Sequence, residues 1–132
     1  FLEEIHLGQY LWIGLGGFLG ANARYVVQTW AAARWGSDFP YGTMLANVSG
    51  SFLLALFLTL ATERFNISSQ SRLLVATGFL GGYTTFSSFG YETWRLLATG
   101  DWRWGGVNAL GNLVLGAAGV MLGIIVARWL SV

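Results

Sequence analysis

Apolar runs of membrane-spanning length, separated by short clusters of Gly, Ser, Asp and Asn, set the pattern of this chain, and inside those runs a few polar side chains recur at helical spacing. A hydrocarbon core of roughly 30 Å is crossed by about 20 mainly apolar residues in a helix. Four segments meet that length, at about 8–31, 41–62, 72–99 and 104–130. The breaks between them carry their own signals: Gly36-Ser37-Asp38 with Pro40 near the start of the second helix, Asn66-Ile67-Ser68-Ser69 before the third, and Gly100-Asp101 before the fourth. The pattern predicts an all-α integral membrane protein in which four transmembrane helices make one domain over residues 1–132. The opening Phe1-Leu2-Glu3-Glu4 lacks the basic leader of a secretory signal, so the first apolar stretch is expected to be a mature span.

Composition agrees with a bilayer as solvent: 55% of residues are hydrophobic, only 10% are charged, and 19 are Gly, a residue that lets transmembrane helices approach closely. Seven Arg nearly cancel six acids, which argues against nucleic acid as a partner. The absence of Cys removes disulfides, thiolate nucleophiles and thiolate metal sites. One His, His6, lies beside the N-terminal acids without other ligands at metal spacing and reads as a surface residue. There is no nucleophile-and-base constellation and no phosphate-cradling loop, so an enzyme is the weakest class.

Trp30, Trp35, Trp94, Trp102 and Trp104 fall near one end of the spans, with Trp12 and Trp129 toward the other, as indoles at headgroup level do. Orientation is undecided by charge, because Arg34, Arg95 and Arg103 lie on one side and Arg64, Arg72 and Arg128 on the other. A span set without bias can insert both ways, and so few helices cannot enclose a path alone. Both points favour an antiparallel dimer.

Polar residues at membrane depth need a reason. On the second helix Thr43, Asn47, Gly50 and Ser51 share one face, and on the fourth Asn108 and Asn112 stand at i, i+4 with Gly116, Gly119 and Gly123. A lone intramembrane Asn most often makes an interhelical hydrogen bond, but a line of neutral donors also suits a weakly held anion that must enter and leave. In the third span, Gly81-Gly82-Tyr83-Thr84-Thr85-Phe86-Ser87-Ser88-Phe89 combines adjacent Gly with paired β-branched Thr, which predicts a helix broken near its middle. Non-helical backbone at that depth must be buried in protein or line a cavity, and its freed carbonyls can coordinate a cation. Phe86 and Phe89, at i, i+3, share a face and can offer positive ring edges to an anion. Arg24 sits inside the first span, where it must pair, snorkel or line water, and Glu92 is a candidate partner.

Taken together, Gly78-Phe79-Leu80-Gly81-Gly82-Tyr83-Thr84-Thr85-Phe86-Ser87-Ser88-Phe89, Gly42-Thr43 with Asn47, and Gly20-x-x-x-Arg24 resemble the Fluc (CrcB-type) fluoride channels over essentially the whole chain. The resemblance implies a dual-topology antiparallel homodimer in the inner membrane of a microbe, with two fluoride pores along the subunit interface and passive export of fluoride. It implies that Phe86, Phe89 and Asn47 line the pore, with Thr43, Ser87, Ser88, Asn108 and Asn112 completing the pathway. Gly81 and Thr84 would give backbone carbonyls to a structural sodium ion, Arg24 would shape an electropositive vestibule, and Glu92 matches an acid that follows the phenylalanine pair. The chain departs from the family's usual pattern in carrying Asn108 and Asn112 where relatives have hydroxyls, and Gly90 where they often have Ser.

Two other readings compete. A small multidrug-type proton-coupled transporter also has four helices, but needs an intramembrane carboxylate where the first helix offers Arg24. A non-transporting membrane scaffold suits Gly16-x-x-x-Gly20 and Gly119-x-x-x-Gly123 but leaves the broken third span unexplained.

Overall fold

The computed structural model describes residues 6–132, so the signal-sequence reading of residues 1–4 lies outside the described part. Among the described residues the fold is all-helical, with four stems. Helix α1 spans Leu7–Trp35 and α2 spans Tyr41–Glu63. The third stem has two halves. The first, α3 (residues 69–83), is α-helical over Ser69–Arg72, π-helical over Leu73–Leu80 and α-helical again over Gly81–Tyr83. The second, α4, runs Phe86–Ala98, and α5 is Trp102–Leu130. Helices α2 and α5 are each long and apolar enough to cross a membrane.

Local chemistry sets the ends. Helix α1 runs past the expected residue 31 and stops at Gly36, whose φ of 85° is open to Gly at little cost. Pro40 stands at the N-cap of α2. Ser68 caps α3, accepting from the Ser71 N–H at 3.2 Å, which starts this stem three residues before the expected 72. Gly100, at φ 83°, closes the turn from α4 to α5. The expected break falls at Thr84 and Thr85, both extended, while Gly81 and Gly82 stay helical. Thr85 then caps α4 by accepting the Ser88 N–H at 3.2 Å.

Glycines bring the backbones together. A Cβ on Gly16 or Gly20 of α1 would collide with the carbonyls of Leu74 and Phe79, and one on Gly82 would come within 2.9 Å of the Gly17 carbonyl. On the other side of the bundle, a Cβ on Gly119 would meet the Val48 carbonyl at 3.0 Å, and one on Gly123 would run into that of Phe52. Small residues at helix contacts replace the hydrophobic driving force that lipid removes. The large apolar side chains point outward instead: Leu11, Phe18, Leu110, Leu113, Met121 and many others are exposed.

One end of the bundle is rich in aromatic rings, as the tryptophan positions suggested. Phe39 lies 5.5 Å from Trp104 and Trp35 lies 5.6 Å from Tyr41, so the α1–α2 and α4–α5 connections meet in one aromatic belt. At the opposite end Arg72 donates to the Ala61 carbonyl at 3.0 Å, Arg64 to that of Ser131 at 2.8 Å, and Arg128 pairs with Glu63 at 3.1 Å. His6 is exposed, as its position suggested.

Candidate functional site

The break in the third stem leaves backbone groups without helical partners, and α2 supplies replacements. In an unbroken helix the Thr85 N–H would serve the Gly81 carbonyl; here it donates to Asn47 Oδ1 at 2.8 Å. Asn47 Nδ2 returns a bond to the Thr85 carbonyl at 3.1 Å. The Ser88 N–H, due to the Thr84 carbonyl, goes to Thr85 Oγ1 instead. The Gly81 and Thr84 carbonyls, which the family resemblance singles out, are thus among the oxygens that lose their helical donors at the break, with those of Gly82 and Tyr83. Neutral carbonyl oxygens of this kind suit a hard monovalent cation, so their chemistry is compatible with the sodium ion that the family resemblance implies.

The same diversion explains Arg24. It does not meet Glu92; its Nε donates to the Gly82 carbonyl at 3.2 Å, another oxygen whose helical donor lies beyond the break. Glu92 Oε1 instead accepts from Thr43 Oγ1 at 2.8 Å, and Thr43 Oγ1 accepts from Gln28 Nε2 at 3.1 Å. This second chain borders a cavity of about 330 Å³ lined by Gln28, Thr43, Tyr91, Glu92 and Arg95, next to the aromatic belt.

Beyond the break the amides continue. Asn47 Nδ2 also donates to Asn112 Oδ1 at 3.0 Å, Asn112 Nδ2 to Asn108 Oδ1 at 3.1 Å and to the Asn108 carbonyl at 2.8 Å, and Asn108 Nδ2 to Thr93 Oγ1 at 2.8 Å. Thr93 Oγ1 ends the line on the Phe89 carbonyl at 2.8 Å. Asn108 is completely buried and, among the described residues, is the largest side chain to be so. Among the described residues no buried side-chain nitrogen or oxygen lacks a partner, as a low-dielectric setting demands.

A groove of about 250 Å³ opens where these parts meet. Asn47, Gly50, Ser51, Thr84, Thr85, Phe86, Phe89 and Asn112 line it. The Phe86 and Phe89 rings stand edge to face with centroids 5.6 Å apart, and Phe86 is 79% exposed. Ser87 is exposed, with Oγ 3.4 Å from Thr85 Oγ1, and Ser88 is half-buried on the same turn. Thus Asn47, Phe86, Phe89, Thr84 and Asn112 converge, while Thr43 and Glu92 lie in the separate second chain. Asn108 is sealed in the interior. Sequence reasoning missed Thr93 and Gln28; Gln28 follows Arg24 by one helical turn inside a span, a signal that could have exposed it.

Helices that turn apolar side chains outward, hold a broken stem between them and line a groove at that break with amides and phenyl rings define a polytopic membrane protein with a polar, aromatic-edged groove at membrane depth. A family model described as CrcB-like protein, Camphor Resistance (CrcB), matches residues 11–124. The chain is 51% identical over 116 residues to the fluoride-specific ion channel FluC of Roseiflexus sp. (strain RS-1), covering 88% of this chain and 94% of that one. It is 48% identical over 120 residues to the protein of the same name from Solibacter usitatus, at 91% and 98% coverage. Against that of Chloroflexus aurantiacus it is 42% identical over 123 residues, at 93% and 98%. The chain belongs to the CrcB family.

Proposed function

We propose that this chain is a passive, fluoride-selective channel that exports fluoride across a microbial inner membrane. The observation that carries the reading is the groove at the helix break, where Asn47 and the Phe86–Phe89 pair face the same space. Removing a small, strongly hydrated anion from water is costly. Amide and hydroxyl donors together with the positive edges of phenyl rings offset that cost without the tight hold of a full positive charge. Neutral ligands let the ion leave again, and a narrow path excludes chloride by fit. The path is lined by Phe86, Phe89, Asn47, Ser87, Ser88 and Asn112, with Asn108 behind them. Thr43 and Glu92 border the wider cavity at one end.

The working unit is an antiparallel, dual-topology homodimer. The groove lies open on the surface of one chain and Phe86 projects from it, so a second copy is needed to close the path. Three Arg at each end allow insertion either way. A sodium ion held by the Gly81 and Thr84 carbonyls would supply a fixed positive charge that ties down the broken backbone. Arg24, on the Gly82 carbonyl, supports the same segment.

Efflux from liposomes tests the reading. With a potassium gradient and valinomycin, a fluoride electrode should record rapid loss while a chloride electrode records almost none. Equal chloride loss, or no fluoride loss from well-folded protein, would overturn it.

A further inference from the structure

Both N–H groups of Asn47 are already committed: one to the Thr85 carbonyl, the other to Asn112 Oδ1. The amide orientations are fixed by backbone partners, since Oδ1 of Asn47 accepts the Thr85 N–H and Nδ2 of Asn112 donates to the Asn108 carbonyl. The line therefore runs head to tail in one direction, from the Thr85 N–H through Asn47, Asn112, Asn108 and Thr93 to the Phe89 carbonyl. Each bond in such a line polarises the next. Its start and its end lie on the two sides of the Phe86–Phe89 turn, so the line also fixes where that turn sits.

We infer that Asn112 sets fluoride affinity by competing with the ion for the Asn47 amide. Of the two bonds made by Asn47 Nδ2, the one to Thr85 satisfies the backbone of the helix break, while the one to Asn112 joins two side chains that both line the groove. An anion arriving beside Phe86 and Phe89 gains the Asn47 N–H only by displacing Asn112 Oδ1. When the ion moves on, Asn112 takes the N–H back. Asn47 is thus never an unsatisfied donor, and each ion it binds must first displace a neutral hydrogen bond worth about 1 kcal/mol, which weakens the hold. Asn112 is a specificity-determining residue on this account, and its carbonyl oxygen, an acceptor, is not a ligand for an anion. The inference rests on the fluoride reading and deepens it.

Single-channel conductance in planar bilayers, measured against fluoride activity, separates this role from others. Asn112→Leu keeps the branched shape and removes the competitor, so the fluoride activity at half-maximal conductance should fall about fivefold, the worth of one ordinary hydrogen bond. Asn112→Asp keeps an acceptor and adds negative charge, so the same quantity should rise. If Asn112→Leu does not run as a dimer on gel filtration, Asn112→Ser replaces it, its hydroxyl too short to reach Asn47, with a fall again expected. A rise in Asn112→Leu or Asn112→Ser would make Asn112 a fluoride ligand, and an unchanged half-saturation with altered maximal conductance would make it a structural residue; either overturns the inference. Absence of fluoride current in the unsubstituted protein would instead sink the channel reading itself.

Discussion

Asn47 completes the backbone of another helix: its side chain binds both the N–H and the C=O of Thr85, at 2.8 and 3.1 Å, as a neighbouring strand would. One amide on α2 thereby holds open the break that separates α3 from α4 and stands at the groove that the break creates. Asn47→Leu should lose both properties. Two backbone groups at membrane depth would be left without partners, at a cost of about 1–3 kcal/mol each. Fluoride flux should drop at least tenfold and the melting temperature of the purified protein should fall, as fluoride-electrode efflux and thermal unfolding in detergent would register. Undiminished flux would remove Asn47 from the path.

The Phe86–Phe89 pair makes a separate prediction. The rings meet edge to face, and neither side chain is fully buried, so replacing one takes little from the core. Phe86→Ile or Phe89→Ile should therefore leave the gel-filtration profile unchanged and reduce fluoride flux by at least about fivefold, the worth of one aromatic edge contact. Unchanged flux in both variants would mean that the rings pack and do nothing more.

Much of this arrangement was readable from the chain. Four apolar runs gave four stems, because burying backbone in lipid leaves helices as the only economical solution for segments of that length. Thr84-Thr85 announced the break, since β-branched residues cap and extend more readily than they continue a helix. What spacing could not supply was the identity of partners. An i, i+4 pair defines a face but not what meets it, so Asn108 and Asn112 looked alike although one is sealed and the other opens on the groove. Arg24 and Glu92 were matched by charge, whereas orphaned carbonyls at the break drew the arginine to Gly82. Leu73–Leu80 read as an ordinary apolar helix; its π-helical form accompanies the close approach of Gly78 to the Ile13 carbonyl, a tertiary feature with no local signature.

That close approach is itself testable. Gly20 of α1 faces the Phe79 carbonyl with no room for a side chain, and Gly16 stands likewise against Leu74. Gly20→Val would push α1 away from the stem that carries the break, where backbone and not a flexible side chain would have to yield. A cost of about 1–3 kcal/mol is expected, seen as a lower melting temperature and a changed elution volume on gel filtration. By contrast Gly8, with nothing near it, should accept Ala without effect. Equal behaviour of the two positions would show that the contact between α1 and α3 is unimportant.

Sodium supplies the last prediction. The helical donors for the Gly81 and Thr84 carbonyls are spent on Asn47 and Thr85, so these oxygens gain if a cation takes the place of the missing N–H groups. A ligand that binds the folded form raises stability by about 1.4 kcal/mol for each tenfold increase above its dissociation constant. Melting temperature should therefore climb as sodium replaces potassium at constant ionic strength, and the climb should shrink in Asn47→Leu, where the broken backbone loses the side chain that holds these carbonyls in place. A potassium series that stabilises equally would reduce the effect to ionic strength, and these carbonyls would then be held by water or by the second copy of the chain.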